Sequence, residues 1–165
     1  MRRLLFIAAA FCLAAPAAPG HAQEIMKVRI MGSDLAMTVA HGAVKACRDK
    51  GYQTSAVVLD RAGDIVAAQR DTLAARQTLE IAQRKAGLVV LSGTDSGAIR
   101  EARQDIRPEL NHMQGIIVMD GGVQIRAAGS LVGAVGVSGA PSGALDAECA
   151  NAGIDLIRDK LEFAD

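Results

Sequence analysis

The chain has 165 residues, of which 50% are hydrophobic, 22% charged and 2% aromatic, and its 18 basic residues balance its 18 acidic ones. This length suits one domain, and the lack of net positive charge argues against a nucleic-acid-binding protein. Aromatic side chains are too few for base stacking, so the core must consist of small aliphatic side chains, which pack well only where backbones approach closely.

The first 22 residues have the order of segments that is typical of a secretory signal peptide. Arg2 and Arg3 precede an apolar run over residues 4–15, and the small residues of GHA lead to Ala22. The apolar run is too short for a membrane-spanning helix. We therefore expect cleavage after Ala22, a periplasmic or secreted protein that does not span the membrane, and a single domain over residues 23–165.

The following segments predict a helix, a β-hairpin and two more helices. A helix over residues 33–50 begins at the capping dipeptide SD and ends before a glycine. The segments TSAVVLD (54–60) and IVAAQR (65–70) are predicted strands, joined by the turn RAGD. The segment TLEIAQRKAGLVVLSG predicts a second helix over residues 78–93, and DSGAIREARQ predicts a short third helix over residues 95–104.

The second half of the chain predicts three strands and a final helix. Pro108 is expected to end the third helix. Strands are predicted for GIIVMD (115–120), VQIRA (123–127) and LVGAVGVS (131–138), and an alanine-rich helix over residues 145–161. Hairpins imply an antiparallel sheet with helices covering its faces, which is an α/β fold of the α+β type.

The last predicted strand carries glycine at two positions where a strand normally carries bulk, Gly133 and Gly136. Strict alternation divides this strand into two faces, Leu131, Gly133, Val135 and Val137 on one and Val132, Ala134, Gly136 and Ser138 on the other. Each face then lacks one side chain. Close packing of a helix explains these gaps without a ligand, and a flat ligand or a neighbouring subunit are the alternatives.

Two cysteines, Cys47 and Cys149, remain after the predicted cleavage. Cys47 lies late in the first helix and Cys149 early in the last, so the two residues become neighbours if these helices pack antiparallel. A Cys47–Cys149 disulfide is compatible with export to an oxidising compartment. The alternative is a pair of buried thiols that act as small hydrophobic side chains.

Four segments carry a family resemblance: IAQRKA from Ile81, DGGVQI from Asp120, GSLVGAVGVSGA from Gly129 and DAECANAGI from Asp146. They resemble the GlcG/HbpS family, small haem-binding or haem-degrading-type domains related to the C-terminal domain of the PduO cobalamin enzymes. The resemblance covers roughly residues 34–157, and the glycine-rich signature is its most specific part. It implies a profilin-like fold with a five-stranded antiparallel sheet, haem or a related tetrapyrrole as ligand, and a homo-oligomer.

Haem binding requires an apolar slot, cations for the propionates and, optionally, an axial ligand to the iron. His112 follows RPELN in a predicted loop, and loops held by a sheet often carry binding residues. His112 is therefore the candidate iron ligand, with a solvated loop histidine as the alternative. His41 lies within the first helix, where a surface or packed histidine is the ordinary interpretation. Met113 and Met119 are possible soft ligands, although methionine is more often core filler.

Other candidate ligand-binding residues come from the motifs. Lys85 matches the family's KA motif, and Arg126 follows the double glycine. Both are expected to reach a ligand carboxylate, with a solvent-exposed side chain as the alternative at each position. The remaining candidates are Gly121 and Gly122 of the double-glycine motif, and Ser138 and Gly139, whose N–H groups could face an anion at the start of the last helix.

Nothing in the sequence demands catalysis. The segment GVSGA around Ser138 does not match the G-x-S-x-G pattern of a nucleophile elbow, and no His/Cys/Asp group has metal-ligand spacing. The leading hypothesis is a non-enzymatic small-ligand binder, with its pocket between the second helix, the His112 loop and the glycine-rich strands. The alternatives are an enzyme or accessory protein acting on a small organic acid, since relatives are linked with glycolate metabolism, and a structural oligomer without a ligand.

Overall fold

Residues 28–164, which the computed structural model describes, form three layers, with an antiparallel sheet between helices on both of its faces. The predicted antiparallel sheet with helical cover is thereby confirmed. The predicted signal peptide lies outside the described residues. Within residues 28–164, no helix combines the length and the apolar character needed to cross a membrane.

The elements follow one another in the predicted order through the first hairpin and the second helix, and then diverge from the prediction. Their bounds are α1 Ser33–Asp49, β1 Ser55–Asp60, β2 Ile65–Arg70, α2 Gln77–Ser92, α3 Ser96–Ala102, a 3-10 turn Gln104–Ile106, α4 Arg107–Asn111, β3 Gly122–Ala127, β4 Ser130–Ser138, α5 Gly143–Asp155 and α6 Arg158–Glu162.

The sheet has the strand order β2-β1-β4-β3, and every neighbouring pair is antiparallel. The central strands β1 and β4 are buried along most of their length, because α1 and α5 cover one face of the sheet and α2 covers the other. Burial on both faces explains why both strands are continuous apolar runs rather than alternating ones. Val58 of β1 faces α1 and α5, and Val57 and Leu59 face α2.

The prediction of five strands is wrong for the described residues, which contain four. The segment predicted as a strand, residues 115–120, forms no strand. The Ile117 N–H donates to the Arg84 carbonyl oxygen of α2 at 3.1 Å, and the Val118 N–H donates to Asn111 Oδ1 at 2.8 Å. Two backbone donors of this apolar segment are thus satisfied by residues of α2 and α4 rather than by a neighbouring strand. The profilin-like likeness implied by the resemblance stays a prediction.

Two predicted helix boundaries are also wrong. Pro108 does not end a helix but occupies the first turn of α4, where proline is tolerated because the N–H it lacks would have no partner there. The final helix does not run unbroken to Leu161, because Leu156 and Ile157 separate α5 from α6. The side chains of Ile157 and Leu161 are buried in the core that α1 and α5 share.

The predicted alternation of β4 fails at one residue. In the pairing with β3, Ile125 lies opposite Gly133 and Arg126 lies opposite Leu131, so Val132 has no partner in the ladder. Such a bulge shifts the alternation by one position. Val132 therefore packs in the same core cluster as Val135, rather than on the face of Ala134.

Close backbone packing explains the two glycines of β4. A Cβ atom at Gly136 would clash with the carbonyl oxygen of Ala82 and lie 2.9 Å from the Ala86 nitrogen, both in α2. A Cβ atom at Gly133 would clash with the carbonyl oxygen of Leu59 in the neighbouring strand. This chain's own backbone fills each gap: α2 fills the gap at Gly136, as helix packing predicted, whereas β1 fills the gap at Gly133, where that prediction is wrong. Helix α2 thus packs directly on β4 at Gly136, and the location of the predicted pocket stays a prediction.

Helices α1 and α5 pack side by side and are joined by a disulfide between Cys47 and Cys149, whose Cα atoms lie 5.4 Å apart. Both cysteines are fully buried within the core cluster on this face of the sheet. The bond links residues that are separated by 102 positions in the sequence. It therefore ties the N-terminal helix to the last long helix across nearly the whole described chain.

We expect the double variant Cys47→Ala/Cys149→Ala to lose about 2–5 kcal/mol of unfolding free energy, because a cross-link over so long a loop restricts the unfolded chain strongly. Urea unfolding at neutral pH measures the loss. The wild-type protein, unfolded in the presence of a reductant, should show a comparable loss. An unfolding midpoint equal to that of the oxidised wild type would show that the bond contributes nothing to stability.

Candidate functional site

A buried ion pair joins α2 to α5. Lys85 Nζ donates to Asp146 Oδ2 at 2.8 Å and to the Val137 carbonyl oxygen at 2.9 Å, and Asp146 Oδ1 accepts the Ala140 N–H at 3.0 Å. The two charged side chains are only 2% and 4% exposed. Burial raises the pKa of the Asp146 carboxyl group, and the charge of Lys85 offsets part of this increase.

Three of the predicted site residues surround this pair. A Cβ atom at Gly121 would lie 2.7 Å from the Asp146 Cβ and 2.8 Å from Lys85 Nζ. Gly121 also has φ +109°, a backbone conformation that favours glycine. The Gly121 carbonyl oxygen accepts the Val137 N–H at 2.8 Å. Gly122 is buried, and its N–H donates to Ser96 Oγ at 2.8 Å. Ser138 is buried next to Val137.

Lys85 is thus placed in the protein interior with its charge already paired. Lys85 was predicted from its motif, whereas Asp146, its partner 61 residues away, was not. A signal was present in the sequence, because DAECANAGI places a carboxylate in the first turn of a helix whose other residues are mostly small and apolar. The role of Lys85 as a ligand-binding residue stays a prediction.

Arg126, Gly139 and His112 lie at the surface. Arg126 of β3 donates to the carbonyl oxygens of Gly93 and Gly129 at 3.0 and 2.9 Å, contacts that hold the end of α2 against the β3–β4 turn. Gly139 is exposed after β4. His112 is exposed in the turn that directly follows α4, which agrees with its predicted position in a loop. The structure does not bring these three residues to the buried pair.

His41 is exposed on α1, with Nδ1 3.3 Å from Gln69 Oε1. Within residues 28–164, no three His, Cys, Asp or Glu side chains lie close enough together to hold a metal ion.

An open groove of about 550 Å³ lies between the first half of α2 and the strands β1 and β2. Its apolar wall consists of Val57, Ile65, Ala68 and Leu79, and Arg76 contributes a cation at the start of α2. Ile65 belongs to the edge strand β2 and is 53% exposed. The groove therefore combines an accessible apolar surface with one cation, Arg76, and one carboxylate, Glu80, which also forms an ion pair with Arg84. Neither His41 nor His112 lines it.

A smaller cleft of about 220 Å³ lies where α3, α4 and α5 approach each other. It is lined by Arg100 of α3, Arg107 of α4, the loop residues Met119 and Asp120, and Gly143 of α5. Arg100 donates to Asp120 Oδ2 at 2.8 Å. The sequence analysis named Met119 only as a possible soft ligand and did not identify the two arginines, because they come from separate short helices.

The comparisons agree with the predicted relationship. The family model described as "Haem degrading protein HbpS-like" matches residues 31–155, about three quarters of the chain. No curated protein matches the sequence.

Solved structures with the same fold include a double mutant of HbpS from Streptomyces reticuli, which is 31% identical with a TM-score of 0.76. The alignment covers 88% of this chain and 98% of that one. Protein ORFY from Klebsiella pneumoniae is 23% identical with a TM-score of 0.76, and the alignment covers 83% of this chain and 97% of that one. PduOC in complex with heme is 21% identical with a TM-score of 0.70, and the alignment covers 77% of this chain and 94% of that one. At 23% and 21% identity, the similarity of this chain to ORFY and to PduOC concerns the fold alone.

Proposed function

The chain belongs to the HbpS-like family, and on this premise we propose that it binds haem or a related tetrapyrrole without catalysing a reaction of its own. The family match over residues 31–155 is the observation that carries the proposal. The likeness to HbpS supports it, since the alignment covers 98% of that chain at 31% identity. The heme complex of PduOC supports the compatibility of this fold with the ligand.

The groove along α2 fits such a ligand in size and chemistry. Its volume of about 550 Å³ falls within the usual range for small-ligand sites. Val57, Ile65 and Leu79 present an apolar wall that can cover one side of a macrocycle and exclude water from it. Arg76 is exposed and can pair with a propionate carboxylate, while the lining carboxylate of Glu80 is partly neutralised by its ion pair with Arg84. This combination favours the groove over the interior around Lys85.

Bound haem would supply an iron centre that reacts with oxidants. The chain's own contribution would be to hold the ring through apolar contacts and Arg76, because no imidazole lines the groove. His112 lies in the turn after α4 and is absent from that lining. The proposal therefore assigns haem retention to the groove rather than to His112, and substitutions at the two places separate these assignments.

We expect haemin titration of the purified protein to give a saturable Soret band, and Ile65→Asp to weaken haemin binding by about tenfold or more. The reason is that a carboxylate in the apolar wall must be desolvated and also repels the propionates. Leu73→Asp is the matched control, because Leu73 is 80% exposed and does not line the groove. His112→Ala should also bind haemin as the wild type does. If His112→Ala loses the Soret band while Ile65→Asp keeps it, the groove assignment is wrong.

We also propose that the protein works outside the cytoplasm and self-associates. The disulfide between Cys47 and Cys149 supports an oxidising location, in agreement with the predicted signal peptide. The exposed Ile65 on the edge strand β2 supports self-association, because exposed apolar residues beside an unpaired strand edge favour contact with another chain.

A further inference from the structure

We propose that the cleft between α3, α4 and α5 binds a small monocarboxylate, with Arg107 as the principal anion-binding residue. The cleft shares no lining residue with the groove along α2. The inference is therefore independent of the haem proposal, and each can fail without the other.

Arg107 provides the first argument. Its side chain makes no hydrogen bond or ion pair with any other residue in the described range 28–164, although it lines the cleft and is half-buried. The described part of the chain pairs Arg48, Arg84, Arg100, Arg103 and Arg158 with acidic side chains. A planar guanidinium group matches a carboxylate with two parallel N–H···O bonds, so Arg107 is free to bind one.

Arg100 provides a second set of donors. One of its terminal nitrogens donates to Asp120 Oδ2 at 2.8 Å, and this bond fixes the guanidinium group at the wall of the cleft. The side chain remains 47% exposed. A carboxylate bound by Arg107 would therefore have a second cation beside it that is already held in place.

The charge of the cleft selects the class of anion. Arg100, Arg107 and Asp120 together leave one unit of positive charge, and the neighbouring Lys85–Asp146 pair adds none because its charges cancel. A monoanion neutralises this charge, whereas a dianion such as phosphate leaves an excess negative charge beside Asp120. Electrostatic complementarity of this kind governs specificity more than affinity.

The apolar part of the cleft wall determines which uncharged group the ligand can carry beside its carboxylate. Met119 lines the cleft and is 41% exposed, so its flexible thioether offers an apolar contact for a short aliphatic tail. The cleft is open to solvent, and its volume of about 220 Å³ accommodates a carboxylate with a short aliphatic tail. Butyrate is therefore a suitable probe, with butanol and phosphate as comparisons that remove the charge or double it.

The test is a titration of the purified protein with butyrate, followed by calorimetry or by amide chemical shifts. We expect saturable binding of butyrate, weaker binding of phosphate and none of butanol. Arg107→Gln should weaken butyrate binding by about tenfold or more, the usual effect of removing a hydrogen-bonded charge. Arg61→Gln is the matched control, because Arg61 is exposed in the β1–β2 turn and does not line the cleft.

Two further measurements sharpen the result. Asp120→Asn adds one positive charge to the cleft and should shift its preference from butyrate toward phosphate. Haemin added before butyrate should leave butyrate binding unchanged, because the two sites share no lining residue. Competition would instead assign the cleft to a tetrapyrrole propionate and would overturn the monocarboxylate proposal. Equal butyrate affinity in Arg107→Gln and the wild type, or binding of butanol as strong as that of butyrate, would overturn the proposal.

Discussion

The variant Gly136→Val is expected to lose at least about 3 kcal/mol of unfolding free energy, near the upper end of the usual cost of overpacking. The clash at this position is with the backbone of α2, at the Ala82 carbonyl oxygen and the Ala86 nitrogen. Backbone atoms inside a helix cannot move aside as the end of a flexible side chain can. The helix must instead separate from β4, which also exposes the cluster of Val57, Leu59 and Val89.

Urea unfolding measures this loss, and Gly32→Val is the control. A Cβ atom at Gly32 meets no other atom within 4 Å, and the residue has an extended backbone. The control should lose no more than about 1 kcal/mol, the usual cost of an unfavourable residue at a helix N-cap. If Gly136→Val unfolds at the wild-type urea concentration, close packing of α2 is not the reason for glycine in β4.

The variant Lys85→Met is expected to lose about 3–5 kcal/mol at neutral pH, because it leaves the Asp146 carboxylate buried without its partner. The double variant Lys85→Met/Asp146→Asn should recover much of this loss, since it removes the uncompensated charge and keeps an acceptor for the Ala140 N–H. Equal stability of Lys85→Met and the wild type would show that the ion pair does not hold α2 against α5.

The loss in Lys85→Met should depend on pH with a definite sign. Burial raises the pKa of Asp146 in the folded protein, so protonation of this carboxyl group favours the folded state. Its favourable contribution is present below the unfolded pKa and disappears as pH rises through the folded pKa. Without Lys85 the increase in pKa is larger. The stability difference from the wild type should therefore shrink as pH falls below neutral, and a constant difference would contradict this explanation.

Local sequence patterns were sufficient to predict most of the helices and strands. The predicted hairpin agrees with β1 and β2 within one residue, and the first two predicted helices agree with α1 and α2 within one residue at each end. Apolar periodicity, capping residues and turn glycines act over a few neighbouring positions, so the sequence displays them directly. The family motifs could also be recognised from the sequence, because each is a continuous segment.

The candidate site was less predictable, because its residues meet only in the folded chain. Lys85 was identified from a motif, but its pairing with Asp146 depends on how α2 and α5 approach β4. The cleft of Arg100, Arg107 and Asp120 draws on two short helices and a loop. None of these spacings is a recognisable motif, so nothing local to any one residue indicates the others.

By itself, the sequence determined the family, the α+β class and the small-residue core that requires close backbone packing. Only the tertiary structure decided that residues 115–120 hydrogen-bond to α2 and Asn111 instead of forming a fifth strand, and that the gap at Gly136 is filled by α2. The physical reason is common to both. An apolar segment or a glycine in the sequence indicates that another part of the chain packs against it. Which helix or strand packs there depends on elements that are distant in the chain.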